Sequence, residues 1–140
     1  MCSNWSPLRC GVPQGSLLSP LLCNIFMNDI SETVTISSLR LYADDTTQYM
    51  ADKSPVVLQY TLNQDMERLS SWLDYSYLQA SGNKTEAMIL GKSIYHYDLE
   101  FDSTSIVIKE HLKILGVCLA NKLSFKEHIS VMLELCISTF

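Results

Sequence analysis

Two adjacent aspartates, Asp44 and Asp45, follow a stretch in which Leu39, Leu41 and Ala43 alternate with Arg40 and Tyr42. Such alternation marks a strand with one buried face, and Thr46 to Met50 can return as its partner. That predicts a β-hairpin with both acids at its tip. Neighbouring carboxylates repel each other, and a bound cation relieves the repulsion. Carboxylates fixed on a tight hairpin are therefore candidate ligands for Mg2+ or Mn2+. Phosphoryl or nucleotidyl transfer by the two-metal route needs such ligands around ions roughly 3.5–4 Å apart. Taken alone, an Asp-Asp pair in a turn is more often a solvated loop.

A second candidate lies upstream. Residues 11 to 20 read Gly-Val-Pro-Gln-Gly-Ser-Leu-Leu-Ser-Pro. The two glycines allow close backbone approach to a ligand, Pro13 stiffens the turn, and Gln14 offers both a donor and an acceptor. A loop of this kind ahead of a helix can sit against a nucleotide or a template strand. It can equally be a plain turn capping a buried helix.

The elements that must position these residues are legible in outline. Ser19-Pro20 is a helix-start pair, and Leu21, Leu22, Ile25, Phe26 and Ile30 recur at helical spacing, predicting a buried helix over about residues 20 to 32. Ser54-Pro55 repeats the signal. Leu58, Leu62, Met66, Leu69 and Leu73 then form one apolar stripe, predicting an amphipathic helix over residues 55 to 76. Ala87 to Leu90 reads as a short strand, Tyr97 to Phe101 and Ile106 to Ile108 as a hairpin, and Leu112 to Leu119 as a strand broken by Gly116. Ser124 and Glu127 are spaced as a capping box before Ile129, Met132, Leu133, Cys136 and Ile137, which share one helical face. Helices and antiparallel strands mix without βαβ regularity, so the class is α+β.

Composition narrows the setting. With 140 residues, 47% of them hydrophobic and 18% charged, the chain suits one ordinary globular domain. The net charge of −5 does not suit nucleic-acid binding by this segment alone, because phosphate contacts need Lys and Arg. The five cysteines (Cys2, Cys10, Cys23, Cys118, Cys136) are odd in number, and with His96, His111 and His128 they show no zinc-ligand spacing. Buried or free thiols in a reducing compartment fit better. No signal-peptide core is visible, and the apolar stretch from Leu17 to Met27 is interrupted and too short to span a bilayer. The expectation is a soluble intracellular protein with no membrane contact.

In order, GVPQGSLLSPLL, YADD, NKTEAMILG and LKILGVCL resemble the reverse transcriptases of non-LTR (LINE-type) retrotransposons. The resemblance covers nearly the whole chain, and the loop and the YADD turn at this separation are its specific part. It implies a partial reverse transcriptase domain over residues 1–140. That domain would be palm-like, an antiparallel sheet with the YADD hairpin packed on helices, running into the start of the thumb. The fingers and most of the thumb would be absent. The implied activity is that of an RNA-directed DNA polymerase acting on an RNA template, a DNA primer and dNTPs, with two Mg2+ or Mn2+ ions in the intact parent.

By that resemblance Asp44 is a principal metal ligand and Asp45 the second carboxylate of the turn. Pro13, Gln14, Gly15 and Ser16 shape the pocket for the incoming nucleotide and template base, and Tyr42 packs beside the primer terminus. Lys84 matches the lysine near the leaving pyrophosphate; a solvated surface lysine is the competing reading. Leu115-Gly116 matches the hairpin that holds the primer backbone, against a core strand with a bulge glycine. Two departures stand out. Ser76 and Ser81 stand where the family often has Asn before its Lys-Thr pair. The family's third catalytic aspartate precedes the glycine loop, yet none of the ten residues before Gly11 is acidic. A catalytically inactive remnant serving only as a binding module is the alternative.

Overall fold

The computed structural model describes residues 11–13, 15–91 and 94–138, with side chains as far as Leu133. Among them the order is α1 (Ser19–Phe26), β1 (Ser38–Tyr42), β2 (Asp45–Tyr49), α2 (Pro55–Tyr75), β3 (Glu86–Ala87), β4 (Glu100–Phe101), β5 (Thr104–Ser105), β6 (Val107–Ile108), β7 (His111–Ile114), β8 (Val117–Ala120) and α3 (Lys126–Ser138). Short 3-10 turns occupy Asn28–Glu32 and Gly82–Lys84. The class is α+β. The strands do not form the single antiparallel sheet expected: they make four two-stranded ladders, β1–β2, β3–β6, β4–β5 and β7–β8, of which β3–β6 is parallel.

The long helix α2 organises the molecule. Proline at its first turn starts it, and its stripe buries Leu62 and Leu69, with Leu58, Met66, Trp72 and Leu73 partly covered. Ile30 and Leu39 join these from the N-terminal side, and Tyr97, Leu99, Phe101 and Ile106 from the C-terminal side. The polar edge of α2 is also used. Asn63 donates from Nδ2 to the Asp98 carbonyl and accepts at Oδ1 from the Glu100 N–H, while Gln59 Oε1 accepts from the Asp98 N–H. These bonds hold the β4 edge on the helix.

The helix ends in a Schellman motif. The Leu78 N–H donates to the Leu73 carbonyl and the Tyr77 N–H to the Asp74 carbonyl, which forces Tyr77 to φ +54°. An L-residue there costs about 1–2 kcal/mol, and the Tyr77 ring is 96% exposed, so it recovers little by packing. Tyr77→Gly is expected to stabilise the fold by ~0.5–1 kcal/mol once the larger unfolded-state entropy of glycine is subtracted. Differential scanning calorimetry checks this, with a rise in Tm of roughly 2–4 °C.

Several expected elements differ. The first helix stops at Phe26 instead of running to residue 32: the Met27 N–H makes its last bond, to the Cys23 carbonyl, and the Ile30 N–H then bonds to the Met27 carbonyl as the chain tightens into the 3-10 turn. It is not buried: Leu21, Leu22, Ile25 and Phe26 are all about half exposed or more. On that stripe the Phe26 ring lies 6.4 Å from that of Trp72, while Ile30 enters the core from the following turn. Periodicity identified an apolar face but carried no information on what covers it. Ser19 is the first helical residue and not the cap, and its hydroxyl turns back to donate to the Pro13 carbonyl at 2.6 Å.

Downstream, the strand expected over Ala87 to Leu90 is confined to β3, and the return arm of the second hairpin is β5, not Ile106 to Ile108. The turn Asp102-Ser103 has φ of 48° and 57°, the type I′ signature of a two-residue loop, so pairing starts at Thr104 and β6 is released to lie parallel to β3. Leu112 to Leu119 is not one strand either. Leu115 and Gly116 take φ of 48° and 85°, another type I′ turn, and fold the segment into the β7–β8 hairpin. Ser124 Oγ accepts from the Lys126 N–H at 3.4 Å, a long contact for a cap, and Ile129, Met132 and Leu133 of α3 are exposed. Cys136 and Ile137 lie beyond the described side chains. Cys23 is exposed, Cys118 is half-buried, and both are free thiols. Among the described residues no helix is long and apolar enough to cross a membrane.

Candidate nucleotidyl-transfer site

Register defines the acidic turn. Tyr42 pairs with Asp45, so the loop is the two residues Ala43 and Asp44, and Asp45 opens β2. Ala43 sits at φ +52°, the left-handed region usually left to glycine at the first position of such turns. Directly paired residues project to the same face, so Asp45 stands beside Tyr42 and Arg40. On that face the Arg40 guanidinium lies 5.6 Å from the Tyr49 ring centroid. Leu39 and Leu41 take the opposite face. Leu39 is buried, while Leu41 and Ala43 wall a cleft of about 330 Å3 completed by Asn24, Asn28 and Ser31. Tyr42, Ala43, Asp44 and Asp45 are all exposed.

The glycine loop is tied to the start of α1 by serines. Ser19 Oγ donates to the Pro13 carbonyl, which leaves the Ser16 hydroxyl to donate to Ser19 Oγ at 2.6 Å, while Ser16 Oγ accepts from the Ser19 N–H. Pro13, Gly15 and Ser16 are thus held as one turn, with Gly15 at φ +81°. Gln14 lies outside the described residues. The cleft connects α1 to the acidic turn through Asn24 and Ala43.

Lys84 and Leu115-Gly116 belong to other parts of the fold. Lys84 is exposed on the 3-10 turn Gly82–Lys84 and has no side-chain hydrogen bond or ion pair among the described residues. That turn is seated on β5: a Cβ built on Gly82 would stand 3.0 Å from Thr104 Oγ1 and 3.1 Å from its Cβ. Gly82→Ala is expected to push the turn off Thr104 and destabilise by ~1 kcal/mol, visible as a lower urea midpoint. Leu115 and Gly116 form the exposed tip of the β7–β8 hairpin.

A residue that periodicity passed over lies at the foot of the acidic hairpin. Asp65 interrupts the stripe of α2, and its side chain is buried at 0% exposure. Its Oδ1 accepts from the Thr35 N–H and hydroxyl and from Arg68; its Oδ2 accepts from the Ile36 N–H and from the Ser37 N–H and hydroxyl. Burial pushes this carboxyl up. The Ser37 hydroxyl and the N–H groups of Ser37, Thr35 and Ile36 more than reverse that, holding it well below the usual carboxylate range. Ser37 Oγ also accepts from Gln48 Nε2 on β2. An acid at the i+3 position from Leu62 and i−4 from Leu69 was the visible signal in the sequence.

Two exposed carboxylates on adjacent residues of one turn could serve one hydrated hard cation, since Mg2+ keeps several waters and takes one or two carboxylates. They do not complete a shell for two ions, because no group of three His, Cys, Asp or Glu that could hold a metal occurs among the described residues.

Comparison with known proteins gives the family of the chain. The chain is 24% identical over 148 aligned positions to the RNA-directed DNA polymerase from mobile element jockey of Drosophila melanogaster, covering 91% of this chain. It spans 15% of that relative's length. No solved structure matches. The family model for reverse transcriptase (RNA-dependent DNA polymerase) matches residues 2–119, and the chain belongs to that family.

Proposed function

We propose that the chain is the palm segment, running into the start of the thumb, of an RNA-directed DNA polymerase from a non-LTR retrotransposon. The observation that carries this reading is the two-residue turn that holds Asp44 in its loop and Asp45 at the start of β2, inside a family match of residues 2–119. In the parent enzyme, bound Mg2+ or Mn2+ would supply the positive charge under which a primer 3′-hydroxyl attacks the α-phosphate of a dNTP and pyrophosphate leaves. Asp44 and Asp45 hold two of the carboxylates that such ions require. Tyr42, beside Asp45, lies against the primer terminus. Pro13, Gln14, Gly15 and Ser16 border the incoming nucleotide and its template base. Lys84 offers a cation or a proton to the departing pyrophosphate, and Leu115-Gly116 grips the primer backbone.

Mn2+ titration of the 15N-labelled chain by NMR tests the site. Paramagnetic broadening should centre on the amides of residues 42 to 46 and vanish in Asp44→Ala. Broadening elsewhere alone, or unchanged in that variant, would contradict the assignment. The second reading, a non-catalytic remnant, draws on one observation: the described residues bring no third ligand to the turn. It predicts that restoring the rest of the parent gives no polymerase activity.

A further inference from the structure

Asp65 is an expensive residue to keep where it is. A charged side chain inside an apolar stripe forfeits the stabilisation that leucine would supply there, and buried ion pairs are poor sources of net stability. What the carboxylate does is local and specific. Three consecutive backbone N–H groups, of Thr35, Ile36 and Ser37, converge on it from the loop that enters β1. The Thr35 and Ser37 hydroxyls add two more donors, and Arg68, which also donates to the Thr35 hydroxyl, closes the site from the helix. Gln48 then ties the second strand to the same point through Ser37. Both strands of the acidic hairpin are therefore anchored at their base to one side chain of α2.

We propose that Asp65 is a positioning residue for the Asp44–Asp45 turn, setting the orientation of the hairpin on α2 through Ser37 and Gln48. The proposal rests on the reading of Asp44 and Asp45 as cation ligands. The β1–β2 ladder has no third strand among the described residues, and a two-stranded hairpin alone is only marginally stable. Beyond Leu39, which enters the core, its outer half is exposed. Five residues of strand at ~3.3 Å each put the tip about 17 Å from the base, so a tilt of ~5° at Ser37 moves the aspartates by roughly 1.5 Å. Ligand constellations tolerate only about 0.5 Å. A network at the foot of the hairpin can thus govern a site it never touches.

The test uses the full chain with Ser37→Ala and Asp65→Asn. Ser37→Ala keeps the carboxylate and its backbone donors, so it decides the matter if Asp65→Asn fails to fold. Two quantities are read well below Tm: Mn2+ affinity from broadening at the turn amides, and the orientation of β1–β2 relative to α2 from residual dipolar couplings. The expected result is an affinity loss of about tenfold, the order typical of outer-shell changes around metals, with reoriented hairpin couplings and unchanged couplings within α2. An unchanged affinity and an unchanged orientation in folded Ser37→Ala would overturn the proposal and leave Asp65 a stabilising group only. If the native chain shows no broadening at the turn, the cation reading fails, and the positioning of a metal site fails with it. The couplings then report separately whether the hairpin is oriented from Asp65.

Discussion

Asp65→Ala is expected to destabilise the protein by about 3–5 kcal/mol at neutral pH, because it leaves two hydroxyls and three backbone N–H groups facing a buried gap and the partly exposed Arg68 without its carboxylate. The effect should depend on pH with a definite sign. The folded-state carboxyl titrates below the unfolded one, so the unfolded chain binds the extra proton as pH falls. The stability from Asp65 is therefore complete above the ordinary aspartate pKa of about 3.9 and is lost as pH drops below it toward the folded-state value. Urea unfolding at pH 7 and at pH 3 measures this directly. The difference between native and variant should be largest at pH 7 and shrink at pH 3; a constant difference would mean that Asp65 acts through packing alone.

The second large effect concerns catalysis. The isolated chain is expected not to extend a primer on an RNA template, and to show at most weak binding of Mg2+ or Mn2+ at Asp44 and Asp45. Two carboxylates on one exposed turn leave a pair of ions under-liganded, and the described residues offer no further cluster to complete them. Stabilisation of a phosphoryl-transfer transition state is electrostatic and positional, so a poorly held ion forfeits several kcal/mol of barrier lowering. Each ~1.36 kcal/mol lost is a tenfold fall in rate. The net charge of −5 also gives the duplex phosphates little to hold. A primer-extension assay with purified chain checks this; product above background would refute it.

The acidic hairpin was legible because Leu39 and Leu41 alternate with polar residues, and a two-residue loop then fixes the register within one position. Helix α2 was legible from Ser54-Pro55 and a stripe long enough to outweigh local noise. Asp65 was not, since its partners lie 28 to 30 residues upstream and helical periodicity reports a face without its contacts. The exposure of α1 escaped for the same reason. Ladders of two residues, such as β3–β6, carry too few side chains to show any period, and their parallel pairing depends on where the preceding turn releases the chain. At Leu115-Gly116 the apolar run read as one strand with a bulge glycine, whereas the resemblance pointed to a hairpin, and the positive φ of Leu115 is what makes the turn. Among the site residues, the sequence placed the glycine loop and the acidic turn in order. The cleft through Asn24, Asn28 and Ala43 that joins α1 to the acidic hairpin required the fold.

The proposed function turns on Asp44 as a metal-binding carboxylate of a reverse transcriptase. The most direct measurement is primer extension on an RNA template by this chain joined to the remainder of its parent polymerase, run beside the same protein carrying Asp44→Ala. The first should incorporate dNTPs and the second should lose at least a thousandfold, the ~4 kcal/mol expected when a principal metal ligand is removed. Incorporation that survives Asp44→Ala at an undiminished rate would contradict it.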